Sequence, residues 1–496
     1  MKRKQFITWL LLAAMMLASV SCGADEETSA GDTSAKSDDV VTTAAYPYDT
    51  KDFGGYIFKI LNLDEQYGCY IRLDFDEQTG EALDDAVYNR NRRVEEQLNF
   101  QLDEVVLTGG AAWSTGQIAA CDALIQSVMA DDDAYDAAYL PIYFKPAVVT
   151  DGYVMNLLDI PELHLYEEYW DAVVNEEMTV NNTLYAASGP LNFMALDLSW
   201  ALLFNQDMMD DLKLEYPYQL VRDGKWTLDK MNEYVGTAAN LNGDESFAIS
   251  ESGNCTYGIA GHFTSPTAFM KAAYVDMHER DKNGSPSLTF GAERLYSAME
   301  QIAKMCTTSD GKIFYNNGDL TSPTGYMSVF AANRALFLTC ELKSAMQERA
   351  MEATFGLVPM PKLDEKQESY RSLVTYSTAF LTIPKTQDDP SRAGLILDAL
   401  TYESWRDVLP VYYDITVSQK GLRNEESIEM MKILRDNRSI DFMQVYKITE
   451  DVMNALASQI SGGSGDVSGA ASVIASNKSA VEQNLSDILE TMEKNQ

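Results

Sequence analysis

GEALDDAVYNRNRRVEEQLNFQLDEVVL, residues 80–107, decides the fold class. Leu83, Val87, Val94 and Leu98 recur at helical spacing. Asp84 and Asp85 lie near the start and Arg92 and Arg93 later, an order that suits the helix dipole. QLDEVVL (101–107) then alternates as a strand. On the N-terminal side, FGGYIFKILN (53–62) reads as a first strand, aromatic and β-branched after a Gly-Gly start. On the C-terminal side, a second helix is expected over Gly116–Met129, and the acidic loop ADDDAYD leads into a strand at DAAYL. Strand, helix, strand, helix, strand predicts a parallel sheet covered by helices.

Further along, KWTLDKMNEYV (225–235) opens a helix with Thr227 as N-cap and Trp226 and Met231 placed for a hydrophobic staple. Glu293–Cys306 and Ala345–Met351 read as helices, with RALFLTC between them as a buried strand. Ile448, Val452, Leu456 and Ile460 recur every four residues, and the loop GGSGDVSG follows. Ser479 and Glu482 are expected to form a capping box for a last helix with Val481, Leu485, Ile488, Leu489 and Met492 as its apolar stripe. No internal repeat of solenoid period is present.

The chain of 496 residues is long enough for two or three domains. Its 38 Lys and Arg face 75 Asp and Glu, a formal net charge of −37. Such a body repels phosphate backbones, which argues against nucleic acid as a partner. Lys2, Arg3 and Lys4 precede an uncharged, mostly apolar run from Phe6 to Val20. That run is too short for a bilayer core of about 30 Å and fits a secretory signal segment. With Ala18, Ser19 and Ser21 before Cys22 and Gly23 after it, the junction resembles a bacterial lipoprotein signal, although Ser19 stands where Leu is usual. The resemblance implies acylation of Cys22. Residues 23–45 are mostly small, acidic or hydroxylated and bury too little apolar surface to fold, as a tether would. The five later cysteines, Cys69, Cys121, Cys255, Cys306 and Cys340, are scattered and read as free thiols.

Several stretches together carry a family resemblance: FGGYIFKILN, the segment at 80–100, YDAAYLPIYFKPAVVTDGYVMNLLDIP, NNTLYAASGPLNFMALDLSWALLFNQDMMDD, DGKWTLDKMNEYV, TFGLVPMPKLDEKQESY and LPVYYDITVSQKGLRNEESIEMM. In order and spacing they resemble the extracellular solute-binding lipoproteins of bacterial ABC importers, in the carbohydrate-type group. The resemblance implies an α/β, two-lobed periplasmic-binding-protein-like fold of type 2, with hinge strands and a ligand cleft. Crossings between the lobes are then expected near 188–200 and 370–386. That assigns 1–21 to a signal peptide, 22–46 to a tether, 47–195 plus 372–404 to lobe one, and 196–371 plus 405–496 to lobe two. It implies capture of a solute, an oligosaccharide, for a membrane ABC permease, by a monomer anchored through Cys22 on the outer face of the cytoplasmic membrane.

A sugar offers hydroxyls and weakly apolar ring faces, so a site needs flat aromatics beside acids and amides. Candidates are Trp113 and Tyr143, each after an expected strand, Asp64 after strand one (with Glu65 and Tyr67), and Trp200 and Asp197 at the first crossing beside Asn192. Tyr326, Tyr412 and Tyr413 complete the set, with Phe144, Trp405 and Asp414 as lesser candidates. Most aromatics in any chain pack a core, and each of these has that competing reading. Only three histidines are present, without HExxH spacing, and GxSxG and phosphate-loop motifs are missing. No catalytic residue, cofactor or metal is therefore expected. A cell-surface carbohydrate hydrolase using paired carboxylates is the alternative, because a glycosidase needs only two. An adhesin without transport is a third, weaker reading.

Overall fold

In the first sheet, β1 (Tyr56–Asn62) pairs in parallel with β2 (Phe100–Val106) and with β3 (Ala137–Leu140). Parallel neighbours need crossovers, and helices Ala82–Leu98 and Trp113–Ala130 supply them. Val87, Val94 and Leu98 are buried, as the spacing predicts. This is a computed structural model. It describes residues 46–47, 50–63, 70–107, 113–247, 253–281, 284–315, 325–347, 354–417 and 425–495, all within one compact unit, Ala44–Gln496. The expected signal peptide, Cys22, the tether to residue 45, Asp64, Glu65, Tyr67 and Cys69 lie outside those residues.

The second sheet is built from β4 (Trp200–Asn205), β5 (Tyr257–Gly261), β6 (Ile313–Tyr315), β7 (Ala335–Glu341) and β8 (Phe355–Val358). Its order is β8-β4-β7-β5-β6. β7 lies parallel to β5, and β4 runs antiparallel to β7. β4 and β5 are buried throughout, which is why they read as unbroken apolar runs and do not alternate. Trp226 is fully buried beneath helix Leu228–Ala238, and Thr227 Oγ1 accepts from the Lys230 N–H at 3.3 Å.

Two segments that pass between the sheets pair with each other. Thr375 N donates to Leu198 O at 3.0 Å, and Ser199 bridges Val374. β9 (Phe380–Thr382) then joins the first sheet antiparallel to β3, giving the order β9-β3-β1-β2. Away from these strands a second tie joins the halves. Arg280 donates to the carbonyls of Glu176 (3.0 Å), Thr179 (2.6 Å) and Glu177 at the end of helix Ala172–Met178. A guanidinium suits a helix C-terminus because the last carbonyls have no intrahelical partner.

One sequence expectation is corrected. The last helix runs Ala470–Lys494 and starts at Gly469, so Ser479 is mid-helix and caps nothing. The segment LPVYYDITV is a helix, Leu409–Val417, continuing from helix Pro390–Glu403 through a π-turn at Ser404–Val408. It packs on helix Ala82–Leu98 beside the first sheet. Cys121, Cys255, Cys306 and Cys340 are buried free thiols. Among the described residues no helix is long and apolar enough to cross a membrane.

Candidate ligand-binding site

Glu341 ends β7 on the edge where the paired passes leave the second sheet. Its Oε1 accepts the Thr375 hydroxyl at 2.6 Å, and Thr375 in turn accepts the Trp200 indole N–H at 3.1 Å. Trp200 and Glu341 face each other across the β4–β7 ladder. A residue of the first pass, one of the second and one of the sheet thus share one hydrogen-bonded chain. Lys343 Nζ stands 3.2 Å from Glu341 Oε2.

Asp197 lies one turn before Trp200. Burial pushes its carboxyl up to about 6, with Glu341 adding to the effect and the Tyr412 hydroxyl and Lys343 opposing it. Tyr412 is 2 % exposed and donates to Asp197 Oδ1 at 2.8 Å. Its ring meets Phe193 at 4.9 Å between centroids.

From the first sheet, the turn after β3 contributes Tyr143, whose ring lies 4.2 Å from that of Tyr376 on the second pass. The Tyr143 hydroxyl donates to Glu450 at the start of helix Glu450–Ser461, and the Lys447 ammonium stands 4.6 Å from the ring centroid. Burial and the Glu450 contact both raise the Tyr143 phenol's pKa. Tyr376 is likewise raised by burial, with Glu450 and Glu341 adding to it. From the loop after β5 comes His262, with Tyr326 5.9 Å away between ring centroids. Burial lowers the imidazole's pKa and Glu341 opposes that.

The structure therefore brings together Tyr143, Trp200, Asp197, Tyr412 and Tyr326 of the predicted set, with Glu341 at their centre. Trp200 is 7 % exposed with its N–H engaged, so it holds the floor in place and offers little ring face. Tyr413 packs instead beside Arg435, 5.7 Å from its ring centroid, and Trp405 stacks among Tyr402 and Tyr169. Phe144 meets Tyr143 edge-on, Asn192 caps its own turn through Met194 N, and Asp414 is exposed. Trp113 opens its helix, but its side chain, like Asp64, is outside the described residues. Sequence reading missed Glu341, Thr375, Tyr376, Lys343, Glu450 and His262. Glu341 had one available signal, as the only charge ending the apolar run RALFLTC. Among the described residues no cluster of His, Cys, Asp and Glu is arranged to hold a metal.

No family model matches the sequence, and no curated protein matches it. Solved structures do. A sugar transporter of Rhizobium etli in an open conformation aligns with TM-score 0.54 at 14% identity, over 88% of this chain and 99% of that one. A cyclo/maltodextrin-binding protein complexed with maltotetraose aligns with TM-score 0.53 at 12% identity, over 88% and 96%. The GacH receptor of Streptomyces glaucescens, solved unliganded and with acarbose, gives 0.51 at 10% over 86% and 99%. Likeness at this identity is likeness of fold: the chain has the two-lobed α/β fold of these structures.

Proposed function

We propose that this protein is an extracellular solute-binding protein that captures a sugar, an oligosaccharide, by closing two lobes over it and delivers it to an ABC permease. The observation that carries the reading is the Trp200–Thr375–Glu341 chain, flanked by aromatics from both sheets, at the strands joining the lobes. Carboxylates and tyrosines there suit hydroxyls, and a site shared between lobes makes its full set of contacts only when they close. The structural neighbours described as a sugar transporter and as binding maltotetraose or acarbose support it. Lobe one comprises 47–195 with 372–404 and lobe two 196–371 with the remainder, helix Leu409–Val417 resting on lobe one. The protein works as a monomer without cofactor, moored by acylation of Cys22 outside the cytoplasmic membrane. Contact through Trp113, Asp64, Tyr326 and Tyr412 belongs to the same reading.

The test is a thermal-shift screen of the full chain against malto-, cello-, xylo- and manno-oligosaccharides, with chromatography of the sugars afterwards. A ligand at a hundredfold excess over Kd stabilises by about 2.7 kcal/mol. A shift with sugars left intact is the expected result. Shortened sugars would replace transport with hydrolysis, and no shift with any glycan would remove the sugar.

A further inference from the structure

The loop leaving β5 reads His262-Phe263-Thr264-Ser265-Pro266, and helix Ser265–Ala272 begins within it. The β5–β7 register pairs Ile259 with Phe337 and Ala260 with Leu338. Past Gly261 the chain leaves the strand and turns, and the charge of Glu341 still acts on the His262 imidazole. The Ser265 and Thr339 hydroxyls, 2.6 Å apart, tie the start of the following helix back to β7.

Thr264 fixes the imidazole. Its backbone N–H lies 3.3 Å from His262 Nδ1, and its Oγ1 lies 2.8 Å from the same atom. A peptide N–H can only donate, so Nδ1 presents its lone pair and the neutral ring carries its proton on Nε2. No partner for Nε2 is found among the described residues. Burial lowers the pKa of this histidine against the opposing pull of Glu341, which favours the neutral ring. Beside it Phe263 is 49 % exposed, its ring centroid 4.2 Å from that of His262. A large aromatic left in solvent next to an oriented donor, with the Tyr326 ring on the same histidine, has the two things a pyranose requires: a face to stack on and a directed N–H.

We propose that His262 and Phe263 form the second-lobe sugar subsite, in which the Nε2 proton is donated to a hydroxyl or ring oxygen while Phe263 covers the apolar face of the same ring. This rests on the sugar-binding reading and narrows it. An imidazole held as a donor by Thr264 takes an oxygen acceptor and disfavours an ammonium at this position, so the ring held here presents a hydroxyl or ring oxygen to it and not an amine.

Two measurements test it. Long-range proton–nitrogen NMR of the ligand-free full chain should show His262 as the Nε2–H tautomer. An Nδ1–H tautomer overturns the proposal whatever the protein binds. Calorimetry with maltotetraose, cellotetraose, xylotetraose and mannotetraose should then show His262→Leu and Phe263→Ala each weakening the best of these by about tenfold, the order one hydrogen bond carries. His262→Gln, which keeps a donor near the same place, should recover most of the loss. Far-UV circular dichroism and melting of each variant identify any that has not folded, and Gln against Leu remains decisive because both change the ring. Unaltered affinity in His262→Leu and Phe263→Ala overturns the subsite while the sugar reading stands. If the unaltered protein binds none of the four, both fall together.

Discussion

Arg371 Nη2 donates to Glu177 Oε1 at 2.9 Å, while its Nη1 reaches Asp276, so one guanidinium joins carboxylates from both halves of the molecule. Ser439 Oγ adds to the grip on Glu177 at 2.8 Å, and Arg280 holds the carbonyls just beyond. Removing one partner of a buried pair leaves the other charge desolvated and costs about 3–5 kcal/mol. Arg371→Ala leaves Asp276 paired with Lys271 at 2.7 Å and Glu177 bonded to Ser439 and Ile440, so its expected cost in urea unfolding lies at the low end, about 3 kcal/mol. Arg280→Ala leaves no stranded carboxylate and should cost less, about 1–3 kcal/mol, for the orphaned carbonyls. In small-angle scattering it should widen the spread of ligand-free shapes, because the tie away from the paired passes is released. An unchanged profile with Arg280→Ala would show that the passes alone set the geometry.

Tyr143 offers a finer probe of closure. Its hydroxyl meets Glu450 and its ring lies between contacts to Tyr376 and Lys447. Tyr143→Phe keeps the ring and leaves Glu450 its ion pair with Lys447 at 3.6 Å. Stability should fall by about 1–2 kcal/mol, since one hydrogen bond to a carboxylate is lost while that carboxylate keeps its ion pair. If this contact helps hold the lobes together, sugar affinity falls several-fold while the enthalpy of unfolding stays put. Calorimetry on the same sample reads both.

The first sheet was legible because its elements obey local rules. Val87, Val94 and Leu98 keep helical period, and the strands on either side are short and bounded by turn residues. The last helix was misread because Ser479 and Glu482 have capping-box spacing, yet Ala470, Ile474, Val481 and Leu485 bury one face across them. A cap matters only where the helix actually ends. Trp200 was chosen for its chemistry, but its N–H is taken by Thr375, 175 residues away, which no local pattern reveals. His262 was discounted on the scarcity of histidines. That scarcity excludes metal and triad chemistry and says nothing about one imidazole oriented by the threonine two residues on. Elements follow short-range periodicity, while this site depends on contacts between segments far apart in the chain.

Asp197 makes stability depend on pH in a stated direction. Its folded pKa, about 6, lies above the ordinary value of 3.8, so folding favours the protonated acid. That contribution is fully present below pH 3.8 and is lost as pH rises through 6. Asp197→Asn should remove the slope over this window. At pH 7 it should stabilise the protein by on the order of 1–3 kcal/mol, each unit of displacement being worth about 1.4 kcal/mol. Tyr412 can still donate to the amide oxygen, so the cluster should survive. Urea midpoints at several pH values decide the matter, and an undiminished slope in the variant would place its source elsewhere.

Asp398 poses the opposite case, a carboxylate that is 0 % exposed and fully engaged. Its Oδ1 accepts the Trp170 indole N–H at 2.7 Å and the His164 backbone N–H at 3.0 Å. Its Oδ2 accepts the Tyr46 hydroxyl at 2.7 Å and the Tyr169 hydroxyl at 2.9 Å, with His164 Nδ1 also 2.9 Å away. The two oxygens are not equivalent. Donors at Oδ1 cannot turn, whereas the tyrosine hydroxyls facing Oδ2 can exchange donor for acceptor. Asparagine therefore fits in one orientation only, its oxygen kept at the Oδ1 position and its amide offered to the tyrosines. Asp398→Asn should cost about 1–2 kcal/mol as the charge-assisted bonds weaken. Asp398→Leu strands an indole N–H and a peptide N–H together and should cost more than about 4 kcal/mol. Tyr46→Phe removes one donor from a carboxylate that retains four and should cost about 1 kcal/mol. Equal losses for Asn and Leu, measured by urea unfolding, would mean that the charge of Asp398 matters and the geometry of its donors does not.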